Sequence, residues 1–142
     1  MVSTLSHLIY GFIAAKTFNF DIIPFLIFTN ILDLDFFFNL KDKLGHREYL
    51  HNIFSFLFFF LIGFFFFDYK LVLTALSLHL ILDAIDYKVP LFYPFSRKYY
   101  GLYLFKLKKK SILGCAFVDN NTYFTIASII IFIVFLLFVY VI

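Results

Sequence analysis

Gly45-His46-Arg47-Glu48-Tyr49-Leu50-His51-Asn52 runs directly into Ile53-Phe54-Ser55-Phe56-Leu57-Phe58-Phe59-Phe60-Leu61-Ile62-Gly63-Phe64-Phe65-Phe66-Phe67. A short polar island with two histidines thus opens an almost pure Phe, Leu and Ile segment. The apolar run has no period-two alternation, so it reads as helix rather than strand. Only helices or closed barrels satisfy every backbone group in lipid. Residues 53–67 therefore predict an apolar helix with a polar, functional entrance.

The rest of the chain has the same character. Hydrophobic residues make up 63% of the 142, aromatic residues 25% and charged residues 15%. A soluble domain has about 45–50% apolar and about 25% charged residues. A single domain spanning residues 1–142 is expected, because a second core would not fit in this length. The class is an all-α, integral membrane bundle of about five helices. Cys115 stands alone, which excludes a disulfide framework and a thiolate metal site. The net charge of +3 is modest, and no nucleic-acid partner is expected. No basic residue precedes the first apolar run and His7 interrupts it, so this run is expected to stay in the mature protein.

Working outward, segment one is expected over about Thr4 to Ala15, ended by Lys16-Thr17-Phe18-Asn19. Segment two covers about Ile22 to Phe38, with Pro24 tolerated in its first turn. Segment three covers Ile53 to Phe67, and Asp68-Tyr69-Lys70 forms a solvated turn. Segment four covers about Leu71 to Ile85, and segment five Phe124 to Ile142. The fifth carries no charge and is the cleanest membrane span. Between four and five, Asp86 to Thr122 mixes Pro90, Pro94, Arg97, Lys98 and Lys106 to Lys110 with aromatic residues, a composition suited to the headgroup layer.

The polar residues share one end of such a bundle. His7 starts segment one, Asp33 and Asp35 end segment two, His46 and His51 precede segment three, and His79, Asp83 and Asp86 occupy the second half of segment four. In an up-down-up-down bundle, starts of odd helices and ends of even helices lie on one side. Ionisable groups inside a membrane bundle mark function by default. His79 and Asp83, at i and i+4, share a helix face. Asp33 and Asp35 are two apart, so both face one ion only if the helix end unwinds. Nitrogen and carboxylate donors without thiolate suit one or two divalent ions, Zn²⁺, Mn²⁺ or Fe²⁺. The expectation is a metal site at one membrane face.

Several motifs carry a resemblance. They are Ser6-His7, Leu32-Asp33-Leu34-Asp35, Gly45-His46-Arg47 with His51-Asn52, and Leu78-His79 with Asp83, followed by Pro90-Leu91-Phe92 and Pro94-Phe95-Ser96. Their order and internal spacing resemble the LexA-regulated inner-membrane metal-dependent hydrolases, the YdjM-like family. The likeness runs from about His7 to Ser96. It implies metal ligands at His7, Asp33, Asp35, His46, His51, His79 and Asp83, and a supporting role for Arg47. The chain departs from the family pattern at Leu32, Glu48, Leu50 and Asn52, where the family has Pro, Gly, Thr and Ser. Losing two hydroxyls there bears on substrate choice and activity.

The basic residues predict orientation. Lys41, Lys43, Arg47, Lys88, Arg97, Lys98, Lys106, Lys108, Lys109 and Lys110 fall on the side of the site, and only Lys16 and Lys70 on the other. The positive-inside rule then turns the site to the cytoplasmic face of a multi-pass inner-membrane protein. The expected reaction is metal-assisted hydrolysis of an ester, a phosphoester of a lipid or lipid-linked substrate. Arg47 stabilises developing negative charge, and Glu48, Asp33 or Asp86 relays the proton. Two alternatives belong to other classes: a metal or proton transporter, and a non-catalytic protein stapled by its metal. A transporter needs polar residues continuing to the far side, yet Phe54 to Phe67 offers almost none besides Ser55.

Overall fold

The computed structural model describes residues 4–34, 50–86, 89–96, 98–102 and 122–141. Among the described residues there are five α-helices: α1 Thr4–Thr17, α2 Ile22–Asn30, α3 Ile53–Phe66, α4 Tyr69–Asp86 and α5 Thr122–Val141. A 3₁₀ turn, Ile31–Leu34, extends α2. Among the described residues there is no strand, only an isolated antiparallel bridge between Val89 and Tyr100. The all-α expectation with five helices therefore holds.

Local chemistry explains where the helices start and stop. α1 ends as residues 16–19 suggest. Asn19 takes a left-handed conformation (φ 56°). The Phe20 N–H then donates to the Ala15 carbonyl at 2.8 Å and the Asn19 N–H to the Lys16 carbonyl at 3.4 Å. These two bonds satisfy carbonyls that the helix end would leave open. α3 begins where Asn52, in an extended conformation, accepts from the Phe54 and Ser55 N–H groups at 2.9 and 3.0 Å. A side-chain cap of this kind is worth about 1 kcal/mol. The α3–α4 turn is held by Asp68, whose Oδ1 accepts from the Lys70 N–H at 2.7 Å.

Segment two differs from expectation. Its α-helix stops at Asn30 and tightens into the 3₁₀ turn at residues 31–34. The remainder to Phe38 lies outside the described residues. The tightening moves Asp33 around the axis, because a 3₁₀ turn advances about 120° per residue rather than about 100°.

α1 packs on α2 and α5, α2 packs on α4, α3 packs on α4, and α1 also touches α4. The shared core comprises Ala15, Phe25, Phe28, Leu32, Leu71, Val72, Ala75 and Leu76. Gly63 sets how closely α3 approaches: a Cβ there would lie 2.7 Å from Val72 Cγ1 and 2.8 Å from the Phe28 ring. α5 joins α1 through Phe12 and Phe132, edge to face at 5.8 Å, and through Ser128, whose hydroxyl donates to Ser6 at 3.3 Å.

After α4 the chain turns back as a strap. Val89 and Tyr100 exchange backbone hydrogen bonds of 2.8 and 2.9 Å, and the Leu102 N–H donates to the Ala84 carbonyl at 2.7 Å. The Leu91 carbonyl accepts the Ile53 N–H at 2.9 Å, tying the strap to the start of α3.

The outer surface is apolar. On α3, Phe58 is 60% exposed, Leu61 58%, Phe65 73% and Phe66 76%. Among the described residues, no helix is long and apolar enough to cross a membrane.

Candidate metal centre

Four pieces of the chain deliver ionisable side chains to one buried point. His7 comes from the first turns of α1, and Asp33 from the 3₁₀ turn after α2. His51 comes from the residue before the Asn52 cap, and His79 and Asp83 from one face of α4. His7, His51 and His79 are fully buried, and Asp83 is 1% exposed.

The contacts are short and mutual. His51 Nε2 lies 3.0 Å from His79 Nε2, 3.1 Å from Asp83 Oδ2 and 3.7 Å from Asp33 Oδ1. His79 Nε2 lies 3.4 Å from Asp83 Oδ2, and His7 Nε2 lies 3.3 Å from Asp83 Oδ1. The His7 and His79 rings stack, with centroids 4.0 Å apart and planes 16° apart.

Backbone and hydroxyl groups orient this set. His79 Nδ1 is 2.6 Å from the Thr29 carbonyl. A carbonyl only accepts, so Nδ1 carries the proton and Nε2 keeps its lone pair. The Thr29 carbonyl is available because it belongs to the last turn of α2. Thr4 donates its hydroxyl to Asp33 Oδ2 at 3.0 Å. The cap at Asn52 and the bond from Ile53 to the Leu91 carbonyl hold the backbone beside His51. Such outer partners fix ligand orientation.

The electrostatics call for a cation. Two carboxylates and the lone pair of His79 converge, with Asp83 buried and Asp33 partly exposed. A buried carboxylate costs several kcal/mol unless paired. The described lysines, Lys16, Lys70 and Lys98, are all exposed, and the imidazoles of His7, His51 and His79 face the aspartates. Donors about 2.0–2.2 Å from a common ion sit about 3.0–3.5 Å from each other in four- to six-coordinate geometry. The observed separations of 3.0 to 3.7 Å match that spacing. Two trios place one ligand atom each within 4.8 Å of the others: His7, His79 and Asp83, and Asp33, His51 and His79. The residues present therefore fit a divalent ion.

Of the expected site residues, the structure brings together His7, Asp33, His51, His79 and Asp83. Asp35, His46, Arg47 and Glu48 lie outside the described residues. Asp86 is the last residue of α4, and its side chain lies outside what is described. Sequence reasoning weighed the charged groups and passed over Thr4, Thr29 and Asn52 as orienting residues. The signal for Thr29 was a polar residue inside an otherwise apolar segment. Its working group, however, is a main-chain carbonyl that no side chain announces.

A family model, YdjM inner membrane protein, matches residues 2–142. The chain belongs to that family. No curated protein and no solved structure matches it.

Proposed function

We propose that this YdjM-family chain is a multi-pass inner-membrane hydrolase that uses a divalent ion to cleave an ester, a phosphoester of a lipid or lipid-linked substrate. The observation that carries the reading is the meeting of His7, Asp33, His51, His79 and Asp83, from four chain segments, at separations of 3.0 to 3.7 Å with almost no solvent exposure. A divalent ion held there supplies Lewis-acid polarisation and lowers the pKa of water to about 7.

The chain's own residues do the rest. The Thr29 carbonyl and Thr4 hold His79 and Asp33 in ligating orientation. Water adds its oxygen to phosphorus, the bond to the leaving alkoxide oxygen breaks, and a proton reaches that oxygen. Glu48 or Asp86 is assigned to carry the proton. Arg47, four residues before His51, is assigned to the negative charge that develops on phosphorus-bound oxygens.

Membrane placement is supported by three observations. The family is one of inner membrane proteins. The α5 helix, Thr122–Val141, carries no charged residue in its sequence. The α3 surface exposes Phe58, Leu61 and Phe65, an apolar face too wide for a water-facing monomer. The ten-to-two split of basic residues turns the site toward the cytoplasm. A lipid substrate is favoured by the strap. It touches the start of α3 beside His51 and exposes Phe92 (48%), Phe95 (83%) and Leu102 (69%).

The test uses the full chain in phospholipid vesicles, assayed for release of phosphorylated headgroup or free phosphate. Turnover that stops with a chelator, returns with Zn²⁺ or Mn²⁺, and is lost in His79→Ala is expected. Intact lipid phosphoesters in the metal-loaded protein would overturn the lipid-hydrolase reading.

A further inference from the structure

We infer that the cluster is built for two cations, with His7 serving one, His79 the other, and Asp83 spanning both through its separate carboxylate oxygens. The inference rests on the metal-dependent reading above.

The stacked imidazoles carry it. An imidazole nitrogen ligates along its own ring plane, where its lone pair lies. His7 and His79 are 4.0 Å apart, centroid to centroid, and only 16° from parallel. Rings in van der Waals contact keep their planes about 3.5 Å apart. Planes so nearly parallel do not meet within a metal–nitrogen bond of about 2.0–2.1 Å. An ion in the plane of His79 would lie out of the plane of His7. Distance alone groups His7, His79 and Asp83 as donors to one ion; the ring directions forbid His7 and His79 from sharing it.

The aspartate divides the same way. Asp83 turns Oδ1 to His7 Nε2 at 3.3 Å. It turns Oδ2 to His51 and His79, at 3.1 and 3.4 Å. Paired catalytic ions stand about 3.5–4 Å apart, close to the ring spacing of 4.0 Å.

The two halves are unequal. On the His79 side, His51, His79, Asp33 and Asp83 Oδ2 supply donors, and the Thr29 carbonyl fixes one ring. On the other side the described donors are His7 and Asp83 Oδ1. His7 Nδ1 is buried there with no hydrogen-bond partner among the described residues. Among the described residues, the first half therefore has more donors than the second.

The experiment loads the metal-free, detergent-purified full chain with Mn²⁺ and reads bound metal by elemental analysis and electron paramagnetic resonance. Wild type is expected to bind two Mn²⁺ in two steps and to give the spectrum of an exchange-coupled pair. His7→Ala should bind one and give the spectrum of an isolated ion. If His7→Ala fails to fold by gel filtration, His7→Phe keeps a stacked ring without a donor nitrogen and serves the same measurement. A single isolated Mn²⁺ in wild type, or two Mn²⁺ retained without His7, overturns the two-cation arrangement and leaves the metal-dependent reading standing. No bound Mn²⁺ in wild type overturns both.

Discussion

The buried end of the bundle and the outer face of α3 are composed in opposite ways. Among the largest fully buried side chains are His7, His51, His79 and Asp83, whereas Phe65 and Phe66 on α3 are 73% and 76% exposed. In a protein dissolved in water, lysines and carboxylates stay outside and phenylalanine goes in. Here the polar groups close on one another, and Phe65 and Phe66 of α3 face outward. The inversion indicates which interactions hold each region. The inner one depends on charge compensation, and the proposed membrane placement would give the outer one surroundings as apolar as itself.

Removing a donor should break the comparison most strongly. His79→Ala takes away the imidazole 3.0 Å from His51 and 3.4 Å from Asp83 Oδ2, and leaves the carboxylate without that partner. Several kcal/mol of Lewis-acid stabilisation would be lost, about 10³-fold or more in turnover at roughly 1.4 kcal/mol per tenfold. Bound metal, measured beside the rate, should fall with it.

The outer face gives the next effect. Phe58, 60% exposed near the middle of α3, would be harmless to replace if it faced water. Phe58→Lys is expected to cost about 2.5–3.5 kcal/mol of insertion, read as loss of the chain from the membrane fraction. Unchanged fractionation would remove the lipid-facing assignment of α3.

Between the two regions lies the seam of α3 on α4. Gly63→Ala would drive a methyl group into Val72 and Phe28. Overpacking of this kind costs about 1–3 kcal/mol, visible as a lower unfolding temperature in detergent with metal content retained. The smallest effect is expected at the cap. Asn52→Ala removes two side-chain bonds to the start of α3, about 1 kcal/mol. Because His51 is the preceding residue, metal affinity should weaken by about 10–100-fold, as when an orienting partner is lost. Isothermal titration would measure it.

Much of this contrast was readable in the chain. The expected starts at Ile22 and Ile53 coincide with the helix starts, because a change from polar to apolar residues marks each one. The His79 and Asp83 pairing followed from helical spacing alone. The end of segment two was not readable. Nothing apolar stops at Asn30, and the tightening at Ile31 accompanies contacts of Asp33 and Thr29 with residues far along the chain. The stacking of His7 on His79 was equally hidden, since it depends on how α1 lies against α4 rather than on any spacing within either helix. Asp35, His46, Arg47 and Glu48 fall outside the described residues, so their part in the contrast stays with the proposed roles.

The strap that joins Leu91 to Ile53 also has a meaning for biogenesis. The donors begin at His7 and finish at Asp83, and the tie that steadies the entrance to α3 comes later still. A nascent chain therefore leaves the ribosome with its early histidine and aspartate unmatched. On the proposed metal-dependent reading, ion capture waits until α4 has been synthesised, because the described donor set is complete only then.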